Sequence, residues 1–266
     1  MSESAYERIA SSCERIEIDF SKEEMANLAV IHNMPEQSIE DIATVFSYLE
    51  ERKNQTIIDT CIKLSRLAKK EPKTFEGFDF SRIHGQDIER LTSLSSLSPL
   101  YSRKNLAFIG PQGVGKTHLA MAFGRKCCEA GMKTYFLKAT ELNQKMTYAR
   151  KFGKIDSLVK NMVKPSCLII DEVGRCIFDE YNTNLFFDIV DRRSIKEGPN
   201  CMIFTSNKNP KDWENYFIEK DSLLGAMDRF FNDALVFMIK GESYRGRKTE
   251  TISLQAGNTT PVVSTK

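Results

Sequence analysis

The sequence predicts an α/β fold, a parallel sheet flanked by helices and preceded by a small all-helical N-terminal domain, on three observations. From Asn105 onward, short apolar runs alternate with stretches of helical period, which is the pattern of a parallel sheet covered on both faces. The apolar run 106–109 leads directly into GPQGVGKTH, where Gly110, Gly115, Lys116 and Thr117 satisfy G-x-x-x-x-G-K-[ST] between a strand and a helix. Ahead of this, the first seventy or so residues carry apolar stripes at helical spacing.

Taken in order, the N-terminal region reads as helices from Ser21, which is spaced with Glu24 as a capping box, and Pro35 punctuates before the next helix. Ile39, Ile42, Ala43, Phe46 and Leu49 recur at helical spacing. After a polar break at Asn54 and Gln55, so do Ile58, Cys61, Ile62, Leu64 and Leu67. These stripes predict a small helical core rather than a cofactor site. Residues 69–72 form a charged break, and FEGFDFSRIHG, aromatic and glycine-containing without clear period, reads as the join between modules. Beyond the loop, helix 116–130 is closed by Gly131 and followed by strand 134–137. Thr140 is expected to cap the next helix, and Pro165 precedes strand 167–170. Helix 181–196 ends at Gly198 and Pro199, strand 202–204 runs into Thr205, Ser206 and Asn207, and a last strand covers 235–239. The expected division is a helical domain 1–73 for partner or DNA interaction, an α/β domain 74–254 and a flexible tail 255–266.

Composition narrows the class. No run approaches the roughly 18 apolar residues of a membrane span, and the charged start does not read as a signal peptide. A soluble, cytoplasmic protein is expected. The seven cysteines show no C-x-x-C spacing, so neither disulfides nor zinc is expected. Net charge is only +2, so any affinity for nucleic acid must rest on where the charges sit.

Chemistry is carried by three strand ends. Glycines let the loop Gly110, Pro111, Gln112, Gly113, Val114, Gly115 turn its amides inward, and the helix opening at Lys116 adds its positive N-terminal end. Lys116 is placed to reach the β- and γ-phosphates of ATP, and Thr117 to offer its hydroxyl to Mg²⁺. LIIDEVG, residues 168–174, sets two acids where a buried strand emerges. Asp171 is expected to hold the hydration shell of Mg²⁺ and Glu172 to orient, or take a proton from, the attacking water. Asn207 ends the next strand at the sensor position of the AAA+ arrangement of P-loop NTPases. Arg229, in LLGAMDRFF, has two readings: a cation reaching the nucleotide of a neighbouring subunit, or a surface salt bridge to Asp228 or Asp233. Lys145, Arg150, Lys151, Lys154, Lys160 and Lys164 face one acid, Asp156, with Tyr148 and Phe152 interleaved. That run is either a solvated face or the footprint of phosphate-backbone contact.

GPQGVGKTHLA, LIIDEVG, FTSN, MDRF and GESYR together resemble, in order and spacing, the IstB-like transposition helper ATPases, relatives of the DnaC and DnaI helicase loaders. The resemblance covers about residues 75–247, and more loosely the helical region before them. It implies an AAA+ core whose ATP-bound subunits form a homo-oligomer on duplex DNA, deform it, and recruit and stimulate a partner transposase, with hydrolysis resetting the assembly. By position Arg229 matches the trans-acting arginine of the group, and Arg245 a second arginine sensor. His118 recurs in GKTHLA, where a neutral histidine packing against the loop is expected. The family carries Pro at Gln112, Leu at Val173 and an aromatic at Arg175. The first two changes leave backbone and metal chemistry intact, and the third is expected to alter only a local contact surface. No membrane partner and no DNA cleavage by this chain are expected. Two rival readings are a replicative helicase loader of the DnaC/DnaI type and a nucleotide-gated DNA-coating scaffold.

Overall fold

The computed structural model describes residues 3–83, 87–218 and 220–240. Strands β1 (Asn105–Ile109), β2 (Thr134–Lys138), β3 (Cys167–Asp171), β4 (Cys201–Ser206) and β5 (Ala234–Met238) form a sheet of order β2-β3-β4-β1-β5. Every pairing is parallel. The central strands are apolar throughout because both faces are covered, and Leu106, Phe108, Leu168, Ile169 and Ile203 are fully buried. The chain leaves β1 for the far edge, returns through β3 and β4 to lie beside β1, and only then crosses to β5. Ile109 pairs with Ser206 and Ile170 with Phe204, so the loops that follow β1, β3 and β4 converge at one sheet edge, where open α/β sheets bind ligands.

One face of the sheet is covered by α6 (Lys116–Glu129), which buries Leu119, Phe123 and Cys127 over Phe108, Ile169 and Ile203. The short helices α4 (Ile88–Thr92) and α5 (Ser98–Tyr101) seal that layer with Leu91 and Leu100. The other face carries α7 (Ala139–Lys151), α8 (Ile155–Val163), α9 (Glu180–Ser194) and α10 (Lys220–Phe231). There Phe204 and Phe230 stack at 3.9 Å beneath Phe186.

Before the sheet, α1 (Ala5–Arg15) packs on α3 (Glu36–Leu64) and α2 (Lys22–Ile31) on α1, around Ile9, Cys13, Met25 and Ala43. The capping box of Ser21 and Glu24 forms as expected, and Ser4 and Glu7 make a second at the start of α1, a helix the sequence reading did not include. The expected break at Asn54 and Gln55 does not occur. Helix α3 runs through both, and Gln55 Nε2 donates to Asp59 Oδ1 at 2.9 Å, one turn on, so the polar pair is the solvent side of one long helix. Its last turns reach the sheet layer, where Cys61 and, just beyond the helix, Leu67 join the core over β2 and α6. Thr140 caps nothing: α7 starts at Ala139 and contains it, with no side-chain cap. Helix α9 is capped by Asp179, whose side chain accepts from the Asn182 amide at 2.8 Å. All seven cysteines are free, and burial pushes the Cys128 thiol up to about 11. Among the described residues no helix is long and apolar enough to cross a membrane. The proposed tail, residues 255–266, lies outside the described residues.

Arg193 is fully buried on α9 with no carboxylate partner among the described residues. Its guanidinium donates to the carbonyls of Met162, Val163, Pro165, Ser166 and Cys201 and to Asn200 Oδ1, tying the C-terminal end of α8 to the starts of β3 and β4. Burial lowers its pKa to about 10, which leaves it charged at neutral pH. Arg193→Met keeps bulk but strands several buried acceptors at roughly 1–3 kcal/mol each, so a loss of at least about 3 kcal/mol is expected. Thermal or urea unfolding checks this, and a change under about 1 kcal/mol would show that water or repacking satisfies these carbonyls.

Candidate functional site

The loop after β1 depends on glycine at two close approaches. A Cβ on Gly110 would lie 2.0 Å from the Ile239 carbonyl oxygen, and one on Gly115, where φ is 91°, would lie 2.5 Å from the Phe78 ring. With the loop so folded, α6 begins at Lys116 and its first amides point into a cavity of about 630 Å³ at the converging strand ends. Gln112, Gly113, Gly115, Lys116, Thr117 and His118 line one side. Val114 turns into the core beneath. The Lys116 ammonium donates to the carbonyls of Gly110 at 2.9 Å and Pro111 at 2.6 Å, so it is held at the mouth of the loop.

Opposite the loop, Asp171 ends β3 almost fully buried. One of its oxygens, Oδ1, accepts from Thr117 Oγ1 at 2.7 Å and from Thr205 Oγ1 at 2.5 Å. Burial raises the Asp171 pKa, and the two hydroxyls pull it back. A buried carboxylate beside two hydroxyls is an oxygen-only donor set of the kind a hydrated divalent cation such as Mg²⁺ takes, so the residues present fit that group. Glu172 follows with φ 61°, a left-handed turn uncommon for a glutamate, and its amide donates to Thr205 Oγ1 at 3.0 Å. That turn presents the Glu172 side chain to the cavity. Asn207, exposed after β4, lines the same cavity. Ser206 beside it is locked by bonds to the Val173 carbonyl at 2.6 Å and from Trp213 Nε1 at 3.2 Å.

Four contributors were not expected. Gly77, Phe78 and Asp79, from the stretch read as a join, and Lys73 just before it form another wall of the cavity. Phe78 packs edge-on to His118 with centroids 5.2 Å apart, and His118 Nε2 bonds the Thr74 carbonyl at 2.8 Å. Burial lowers the His118 pKa, in keeping with a neutral ring packed on the loop. The aromatics of FEGFDF were the available signal, but nothing in their spacing points at the loop forty residues on. Arg175 also departs from expectation: it is not confined to a contact surface but reaches back to Glu172 Oε1 and lines the cavity, while Lys138 Nζ lies 3.4 Å from Glu172 Oε2.

Other expected residues lie elsewhere. Arg229 does not line this cavity; it pairs with Asp191 on α9, Nε to Oδ1 at 2.5 Å, and lies over the Phe187 ring at 4.9 Å. Its salt-bridge partner is therefore Asp191, across the helix pair, rather than Asp228 or Asp233 on its own segment. Arg245 lies outside the described residues. The basic run falls on α7 and α8. Lys145 is drawn to Glu141 at 3.6 Å and Arg150 to Asp179 at 3.1 Å, while Lys151, Lys154, Lys160 and Lys164 are exposed and form no ion pair among the described residues.

Residues 29–252 match the family model described as IstB-like ATP binding protein. The chain is 35% identical over 250 residues to the insertion sequence IS5376 putative ATP-binding protein of Geobacillus stearothermophilus, covering 91% of this chain and 95% of that one. It is 31% identical over 207 residues to the IS232 putative ATP-binding protein of Bacillus thuringiensis subsp. berliner, covering 78% and 81%. Among solved structures, the DnaC helicase loader superposes with a TM-score of 0.52 at 20% identity, over 65% of this chain and all of that one, a likeness of fold.

Proposed function

The chain belongs to the family of IstB-like ATP binding proteins, and from that premise we propose that it is an Mg²⁺-dependent ATPase that assembles on duplex DNA as a homo-oligomer and there recruits and stimulates a partner transposase. The observation that carries the ATPase half is the convergence of Lys116, Thr117, Thr205, Glu172 and Asn207 on one cavity, with Asp171 buried directly behind the two threonine hydroxyls. Lys116 and the loop amides bind the phosphates. Thr117 and Asp171 hold the cation, which when bound neutralises charge on the β- and γ-phosphates. Glu172 accepts a proton from the attacking water, and Asn207 orients it. In the proposed assembly, Arg229 of a neighbouring subunit adds a cation aimed at the charge on the transferring phosphoryl group.

The transposition half is supported by the relatives' names, which place them in insertion sequences, and by the exposed lysines on and beside α7 and α8 that form no ion pair among the described residues. A helicase loader of the DnaC/DnaI type is the alternative within the class, but the likeness there is of fold alone. The test is ATP turnover by this chain and strand transfer by a partner transposase, each with and without duplex DNA. Stimulation of both is expected; turnover indifferent to DNA would favour a nucleotide-gated coating scaffold.

Lys151→Glu with Lys154→Glu should weaken DNA binding across sequences and flatten its salt dependence, because phosphate contacts release counterions and carry little sequence information. Affinity measured at two or more salt concentrations checks this. A wild-type slope would make the α7 and α8 lysines a solvated face.

A further inference from the structure

Two aromatic rings at the C-terminal end of α7 are left without a role by the phosphate site and by the lysines alone. Tyr148 and Phe152 stand one turn apart, 55% and 52% exposed, with centroids 4.4 Å apart and planes tilted by 37°. Neither joins a core cluster, so burial does not account for them. Their setting is cationic. The Lys151 ammonium lies 5.7 Å from the Phe152 centroid, and Tyr148 shares with Lys145 and Lys154 a groove of about 520 Å³ between α7 and α8. The amides of Gln144 and Asn161 also line it. The one carboxylate there, Glu141, is engaged by Arg66 and Lys145.

We propose that Tyr148 and Phe152 form a stacking platform for DNA bases that have come out of the duplex stack. This rests on the DNA-binding reading above and specifies its mode. Every base has a π-face, so exposed rings hold unstacked bases with little regard to sequence, and apolar side chains at a distorted step offset the unstacking cost. Lysines around the rings neutralise the flanking phosphates, and the groove amides offer donors and acceptors to base edges. A polyanion suits these surroundings. A protein partner docking through apolar contact would have to bury the same lysines unpaired.

The experiment compares the full chain, with a non-hydrolysable ATP analogue, on a duplex of about 20 base pairs and on the same duplex interrupted by about three unpaired thymines. Wild type is expected to bind the interrupted duplex at least about tenfold more tightly. Tyr148→Ala with Phe152→Ala should erase that preference while leaving the salt slope unchanged, and Tyr148→Phe, which keeps the ring, should retain it. Lys151→Glu with Lys154→Glu should weaken both complexes. Because both rings are exposed, the double alanine variant should melt with wild type, and the single variants give the same reading at smaller size if it does not. A wild type without preference, or a preference that survives both alanines, overturns the platform alone. Wild type with no affinity for either duplex overturns the DNA-binding reading, and the platform with it.

Discussion

Lys116→Ala is expected to abolish tight ATP binding while the fold survives. The ammonium donates to the loop carbonyls of Gly110 and Pro111, and the side chain, although buried, lines the cavity rather than joining an apolar core cluster. In the proposed site the same charge would face phosphate oxygens once nucleotide binds. Hydrogen bonds to charged groups contribute roughly 1.5–3 kcal/mol each, so losing two raises the ATP dissociation constant by about 100-fold or more. Calorimetric titration with ATP measures this, and a melting curve of the free protein checks the fold. Wild-type-like affinity in a folded variant would remove Lys116, and the loop with it, from the nucleotide site.

Arg229→Ala should bind ATP normally and lose about three to five decades of turnover, the range an arginine finger supplies in related phosphoryl transfer. Magnitudes favour that role over the contact seen in the free chain. The pair of Arg229 with Asp191 is about 40% exposed on both sides, and exposed pairs stabilise by roughly 0–1 kcal/mol. A contact that weak would not hold the arginine away from a neighbouring nucleotide. Glu172→Gln should fail differently: the amide keeps the shape of the side chain but cannot act as a carboxylate base, and about two to four decades are expected to be lost with ATP still bound. Single-turnover assays with separately measured binding distinguish these two defects from that of Lys116→Ala.

The parts of the site that were legible in the sequence are those whose chemistry fixes spacing. A phosphate loop needs its glycines, lysine and threonine at set intervals between a strand and a helix, and Asp171 and Glu172 had to follow a buried strand, so both motifs fell on the expected elements. The parallel sheet was legible because strands buried on both faces read as continuous apolar runs. What the reading missed depends on contacts between distant segments. The wall formed by Lys73 and Phe78 exists only because the chain before β1 folds over α6. Arg193 looks like any helical arginine until the C-terminal end of α8 is brought against it. Asn54 and Gln55 misled for a local reason: both are common in turns, yet α3 presents them to solvent on a helix whose flanking residues are buried at either end.

The central claim, that catalysis is completed between subunits, is tested most directly by mixing Arg229→Ala with Glu172→Gln. Each variant alone lacks one component at every interface. In a mixed assembly some interfaces join an intact Glu172 on one subunit to an intact Arg229 on its neighbour, and recovery of ATP turnover well above either variant alone is the expected result. If the two co-assemble, as verified by a tag on one of them, and turnover does not recover, Arg229 does not act in the shared site and its role is the surface pair with Asp191.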